Sequence, residues 1–273
     1  MSKKILKILI KTGLILVMLT VICIFIIKSN QISPELDFLD IGQGDSSLIK
    51  LPGHKVILID GGPDNLVLKR LGENIPYFHR KIDAIILSHF HDDHITGLIE
   101  VIRRYDVSSI IYMKGSKSSP LLETLLQVAS QRNVKIVALE NNFKIEYSQN
   151  CSLNTYNPLI LKVPIDDNNS LVTKINCGKL SALFSGDNNS KVESALLKTK
   201  NNWQADILKA SHHGSKTANS ETFLKTIKPN ILVISVGADN RFGHPNKEIL
   251  DRAKALKIPI KRTDLDKTVK VVF

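Results

Sequence analysis

Residues 12–27 carry no charge, and apolar character reaches back through Ile8, Leu9 and Ile10 with only Lys11 interrupting. A bilayer span needs about 20 residues, and lysines at its ends can snorkel to the interface. Residues 5–27 therefore predict a membrane-anchoring helix. A cleaved secretory signal ends in a small-residue site. Here Phe25-Ile26-Ile27-Lys28-Ser29-Asn30 stands in that place, and Cys23 follows Val21 and Ile22 instead of the small residues of a lipoprotein box. Four lysines precede the run and one follows it, which places the amino terminus in the cytoplasm and the rest of the chain outside. The expected division is an anchor over residues 1–28, a polar linker over 29–35 and one domain over 36–273.

Beyond the linker the pattern shortens. Apolar segments at 36–40, 46–51 and 56–60 read as strands, separated by Gly42-Gln43-Gly44 and Pro52-Gly53-His54. Residues 82–87 form a strongly apolar run, as in a strand buried on both faces. Ile95, Leu98, Ile99 and Ile102 recur with helical spacing and predict a helix over 95–104. A strand at 110–113, a helix at 120–132 and a strand at 134–139 follow. In the second half, 171–176 and 180–184 flank Cys177-Gly178-Lys179 as a hairpin. Helices at 191–198, 221–227 and 247–256 then alternate with strands at 206–210, 231–236, 259–262 and 269–273. Strands and helices mix in both halves, which predicts an α/β fold of two packed mixed sheets with helices outside.

Composition alters this picture little. Hydrophobic residues make up 43% and charged residues 23%, within the globular range, so disorder is excluded as the default. The net charge is +11, but Lys3, Lys4, Lys7, Lys11 and Lys28 belong to the first 28 residues, leaving 32 basic against 26 acidic residues elsewhere. That balance suits a polyanion such as nucleic acid or a wall phosphate polymer, and equally a solvated surface. Of three cysteines, Cys23 lies in the apolar run. Cys151 and Cys177 read as small buried hydrophobes, a pairing between them staying open, and no CxxC metal signature is present. Aromatics are 5% of the chain, which argues against an extended base-stacking platform.

Chemistry concentrates in Ser88-His89-Phe90-His91-Asp92-Asp93-His94, directly after the buried run. Imidazole and carboxylate suit zinc, manganese or iron. His89 and His91, two apart, project together from extended chain, while Asp93 and His94 open a helix and can face a second metal. Packing gives no reason for such a density of histidine. His54 and His79 belong to no motif and read as surface residues.

His89-x-His91-x-Asp93-His94 resembles the HxHxDH signature of the metallo-β-lactamase superfamily. More closely, the chain resembles the metallo-β-lactamase-like domain of the ComEC competence proteins, the DNA-uptake channels. The carrying residues are Phe38-Leu39-Asp40-Ile41-Gly42-Gln43-Gly44-Asp45-Ser46, Leu58-Ile59-Asp60-Gly61-Gly62, the histidine cluster and Asp167-Asn168-Asn169-Ser170-Leu171-Val172. They continue with Phe184-Ser185-Gly186-Asp187, Ser211-His212-His213-Gly214-Ser215 and Asn240-Arg241-Phe242-Gly243-His244-Pro245. The resemblance implies an αββα sandwich and two divalent metal ions, zinc or manganese. It assigns His89 and His91 to one metal, Asp93, His94 and His212 to the other, and Asp187 to both. The superfamily's further histidine, about twenty residues before the bridging aspartate, is missing; Asp167, Asn168, Asn169 and Ser170 stand there. Oxygen ligands favour harder ions, so manganese gains on zinc and full two-metal occupancy is in question.

The resemblance also implies hydrolysis by a water activated between the metals, with Asp93 orienting it and His213 or His244 protonating the leaving group. Asn169, Ser170, Ser215 and Arg241 are expected to bind substrate, and Lys209, Lys216, Arg241 and Lys247 to meet a polyanion. The leading expectation is a phosphodiesterase or nuclease acting on DNA outside the membrane. Hydrolysis of a teichoic-acid-type wall phosphodiester, or a metal-poor DNA-binding module without catalysis, are the alternatives; the missing histidine disfavours β-lactams. Fold alone separates none of these.

Overall fold

A computed structural model describes residues 3–30, 33–115, 119–148, 150–164 and 166–272. Linker residues 31 and 32, and Phe273 of the last expected strand, lie outside them. Two seven-stranded mixed sheets face each other. The first runs in the order Val269–Val272, Glu35–Phe38, Ser47–Leu51, Lys55–Ile59, Ala84–Leu87, Ser109–Met113, Lys135–Leu139. The second runs Ile260–Arg262, Ile231–Ile234, Ile207–Lys209, Leu180–Phe184, Val172–Cys177, Cys151–Tyr156, Phe143–Ser148.

Alternation along the strands builds three apolar layers. Phe38, Ile57, Ile59, Ala84 and Ile86 of the first sheet meet Leu153, Ile175, Ala182 and Phe184 of the second. Their neighbours Leu58, Ile85 and Leu87 turn outward against the helices Leu66–Asn74, Asp92–Arg104 and Pro120–Gln131. Leu183, Leu208 and Leu232 do the same against Ser190–Leu197, Glu221–Ile227 and Lys247–Ala255. Burial on both faces is why Ala84–Leu87, in the middle of its sheet, reads as a strongly apolar run. In each sheet the four strands joined through these helices are parallel. Their carboxyl ends open where connections diverge, the usual place for a ligand site in such sheets.

Several elements differ from expectation. The helix after the histidine cluster begins at Asp92 and not at 95. The hairpin Phe143–Ser148 with Cys151–Tyr156 and the helix Leu66–Asn74 were not anticipated. Cys151 and Cys177 are buried, as expected, but they also form a disulfide, because they are direct cross-strand partners with Cα atoms 4.2 Å apart. The amino-terminal helix Lys3–Asn30 runs two residues past the expected anchor. The membrane-span expectation is not met: among the described residues no helix is long and apolar enough to cross a membrane.

Candidate metal centre

Five connections after parallel strands supply the centre. Asp60 follows Lys55–Ile59, and Ser88 and His89 follow Ala84–Leu87. Asp187 follows Leu180–Phe184, His212 and His213 follow Ile207–Lys209, and Ser235 follows Ile231–Ile234. Close backbone approach draws the loops together. A Cβ at Gly44 would stand 2.3 Å from the Asp93 carbonyl, so only glycine lets Asp45 N donate to that oxygen at 3.1 Å. Gly186, at φ +51°, fits against Ser170 and Ser88, which positions Asp187. Asp60, His212 and His213 hold positive φ of 58°, 50° and 50°. Such left-handed non-glycine residues cost of order 1–3 kcal/mol each and cluster at functional sites.

Asp187 is the hub. The Nε2 atoms of His89, His94, His212 and His213 lie 3.8, 3.5, 3.7 and 3.7 Å from its carboxylate oxygens. His213 Nε2 also lies 3.1 Å from Asp93 Oδ2. Hydrogen bonds fix how each buried ring faces the hub. Asp60 accepts from Ser88 N (2.8 Å) and Ser88 Oγ (2.7 Å), and its Oδ2 lies 2.9 Å from His94 Nδ1. Ser88 Oγ, having given its proton to Asp60, can only accept from His89 Nδ1 at 3.1 Å. His213 Nδ1 meets the Ser235 carbonyl at 3.1 Å and Asp45 Oδ1 at 3.2 Å. In all three rings Nδ1 faces acceptors and carries the proton, leaving the Nε2 lone pair for the centre.

Those Nε2 atoms of His89, His94 and His213, with Asp187 Oδ1, are buried without a hydrogen-bond partner. Convergent orphaned donors of this kind suit a cation. Among the described residues, four groups are close enough to share one: His89, His94 and Asp187; Asp93, His94 and His213; Asp45, Asp60 and His94; and Asp45, Asp187 and His213. The electrostatics agree. Burial works against charge on His94, yet Asp187 and Asp60 hold it well above the usual imidazole range. Burial likewise opposes charge on His213, which Asp187 and Asp45 hold up to about 9. Asp187 stays well below the carboxylate range despite burial, because His213, His94 and His89 surround it. His94 and His213 thus retain protons against burial, whereas burial pushes His89 and His212 down, so it is on the His94–His213 side that the carboxylates favour positive charge, which a metal supplies.

The expected residues fare unevenly. His213, expected as a proton donor, is buried among the carboxylates, and it is His213 and not His212 that converges with Asp93 and His94. His91 stands beside His89, ring centroids 4.5 Å apart, outside those groups. Asn169 is buried and its Oδ1 has no hydrogen-bond partner. Ser170 and Ser215, expected to bind substrate, are buried and bonded internally: Ser170 Oγ accepts from Asp187 N (2.9 Å), and Ser215 Oγ contacts Thr217 Oγ1 (3.0 Å). Lys209, expected to meet a polyanion, is buried and paired with Asp45. Lys247 pairs with Asp251, while Arg241 is exposed. Burial and the nearby His213 and His212 push His244 down to about 4. His54 is exposed; His79 is half-buried. Asp45 and Asp60 carried no role in the sequence reading. Their signal was position, each closing a motif at a turn beside glycines.

The architecture is the metallo-β-lactamase fold, an α/β sandwich built around a histidine–aspartate centre, and residues 39–138 match the metallo-beta-lactamase superfamily. More particularly, the chain is similar to ComEC-type competence proteins. It is 29% identical to ComE operon protein 3 of Bacillus subtilis over 263 residues, 90% of this chain and 34% of that protein. It is 27% identical to Recombination protein 2 of Haemophilus influenzae over 260 residues, 92% of this chain and 31% of that one. The chain thus spans about a third of the length of these relatives. Among solved structures, the metallo-beta-lactamase fold protein YhfI from Bacillus subtilis matches with a TM-score of 0.60 and 14% identity, over 88% of this chain and 100% of that chain.

Proposed function

We propose that this chain is a metal-dependent phosphodiesterase that acts on DNA on the outer side of a membrane. The observation that carries the reading is Asp187, one buried carboxylate within 3.5–3.8 Å of four imidazole nitrogens. His89 and His91 with Asp187 would hold one divalent ion, and Asp93, His94 and His213 with Asp187 the second. Asn169, in the stretch of sequence where the superfamily's further histidine is missing, has a buried Oδ1 without a hydrogen-bond partner, and as an oxygen donor to the first ion it would favour manganese. Two cations held there supply an activated water near neutral pH and neutralise charge on a phosphoryl group. Asp93, on the open side of the cluster, orients the attacking water, and neutral His244 can position it by hydrogen bonding. Exposed Arg241 and Lys216 supply positive charge at the rim.

Support for DNA as the polymer comes from the printed names of two relatives, Recombination protein 2 of Haemophilus influenzae and Competence protein ComA of Neisseria gonorrhoeae. Support for an outer location comes from the Cys151–Cys177 disulfide, since disulfides persist in oxidising compartments. Attachment through the amino-terminal helix belongs to the same proposal. Leu14, Ile15, Leu16, Val17, Met18 and Leu19 are consecutive and all exposed, so its apolar surface goes round the helix. A helix apolar on every face needs a core or lipid around it. The test is cleavage of labelled single-stranded DNA by the purified chain with Mn²⁺ or Zn²⁺, beside metal analysis of Asp187→Ala. We expect cleavage that chelator abolishes and Mn²⁺ restores, and a variant that loses most of its metal. Uncut DNA together with product released from a wall-polymer phosphodiester would replace the nuclease reading by the wall-polymer one.

A further inference from the structure

Beside the cation cluster, residues 237–245 present an aromatic ring that no core contact requires. Phe242 is 52% exposed. The Arg241 guanidinium lies over its ring at 5.1 Å, and the His244 ring stacks near it at 5.9 Å and 25°. A single exposed phenylalanine is ordinary on a protein surface, so two further features carry the argument. The first is rigidity. Asn240 Nδ2 donates to the carbonyls of Gly237 (3.0 Å) and His244 (2.6 Å), while its Oδ1 accepts from the amides of Phe242 (3.2 Å) and His244 (3.0 Å). The backbone that carries the ring is therefore fixed. The second is its setting. Arg241 and Phe242 line a cavity of about 500 Å³ together with Ile41, Gly42 and Asp93, the last touching His213 of the cluster.

We infer that Phe242 and Arg241 form a subsite for one unpaired nucleobase next to the scissile phosphate, and that the substrate is single-stranded. The inference rests on the nucleic-acid reading above. A base stacks on Phe242 by taking the place of the Arg241 guanidinium now over the ring, and the displaced guanidinium meets the adjoining phosphate. The remaining lining fits a base and not a phosphate inside the cavity, because Asp64 and Asp92 join Asp93 there and repel anions while accepting base N–H groups. A polyol-phosphate wall polymer has no π-face to gain from the ring. Bases of a duplex are already stacked on one another and do not reach it.

Fluorescence anisotropy of the full metal-loaded chain with short uncleavable phosphorothioate strands tests this. One strand carries thymine and the other is abasic, with equal length and charge. Wild type should prefer the thymine strand about tenfold, the range of one base–aromatic stack. Phe242→Ala should erase that preference with abasic affinity and metal content unchanged, and Phe242→Trp should keep it. Arg241→Glu should weaken both strands alike. Equal binding of the two strands by wild type, or a preference surviving in Phe242→Ala, would overturn the subsite and leave the nucleic-acid reading standing. Failure to bind either strand at low salt would remove the nucleic-acid reading and the subsite with it.

Discussion

Asp45 faces two buried positive groups at once, Lys209 Nζ and His213 Nδ1. Burial would raise its carboxyl, but Lys209 and His213 hold it down to about 2. Removing it strands a buried ammonium, a loss of about 3–5 kcal/mol, and frees the His213 ring, which costs about 10–100-fold in metal affinity. Thermal unfolding and metal titration of Asp45→Ala should show both losses. The double variant Asp45→Leu/Lys209→Met should recover much of the stability but none of the affinity, and recovery of both would refute the orienting role. A pH effect follows from the same residues. His213 is protonated below about 9, so an incoming cation must displace its proton, and metal affinity should climb between pH 6 and pH 8 with measurable proton release. Calorimetry in buffers of different ionisation enthalpy detects that release; a flat affinity would exclude His213 as a ligand. The histidine cluster was legible because His89, His91, Asp93 and His94 crowd into six positions. Asp45, Asp60 and Lys209 were not, since only folding brings them to it, and a lone lysine in a basic chain reads as surface.

At the level of elements, legibility followed burial. Strands 82–87, 180–184 and 231–236 lie inside their sheets, so polar residues interrupt their apolar runs only at Asp83, Ser181 and Ser235. The hairpin Phe143–Ser148 with Cys151–Tyr156 escaped because it forms the edge of its sheet. Lys144, Glu146, Ser152 and Asn154 interleave with its apolar positions, and Phe143 remains exposed. The helix Leu66–Asn74 buries only Val67 and Leu71 and contains Gly72, too little periodicity to recognise. The edge hairpin is also where the disulfide acts. It ties Cys151 to Cys177 across a sequence separation of 26 residues, and a loop of that size stabilises by about 3 kcal/mol when closed. Denaturant unfolding of Cys151→Ala/Cys177→Ala should show roughly that deficit, with metal stoichiometry intact because the bridge lies in the strands and not in the loops of the centre. Loss of metal alongside stability would mean that the edge hairpin supports the centre directly.

For the whole molecule, charge and apolar surface are separated along the chain, and the separation predicts how the protein meets membrane and polymer. The amino-terminal helix Lys3–Asn30 concentrates exposed apolar side chains and lysines without an acid. The folded domain carries the milder excess of 32 basic over 26 acidic residues. Its burial of Lys209 removes one cation from the surface that composition alone would have counted. On the proposed DNA reading, phosphate contact falls to the rim, where each contact would contribute a slope of about −0.7 in log affinity against log salt for single strands. Titrating DNA binding against salt should give a shallow slope, and Arg241→Glu should flatten it by about one contact while sparing metal content. The helix should contribute nothing to that slope if it is occupied by lipid. Full-length protein with vesicles should sediment at high salt as well as low, since apolar burial is insensitive to screening whereas lysine–headgroup attraction is not. Release from vesicles by salt would make the helix an electrostatic contact only. Protein that never sediments would end the membrane part of the proposal and leave the metal centre's chemistry untouched.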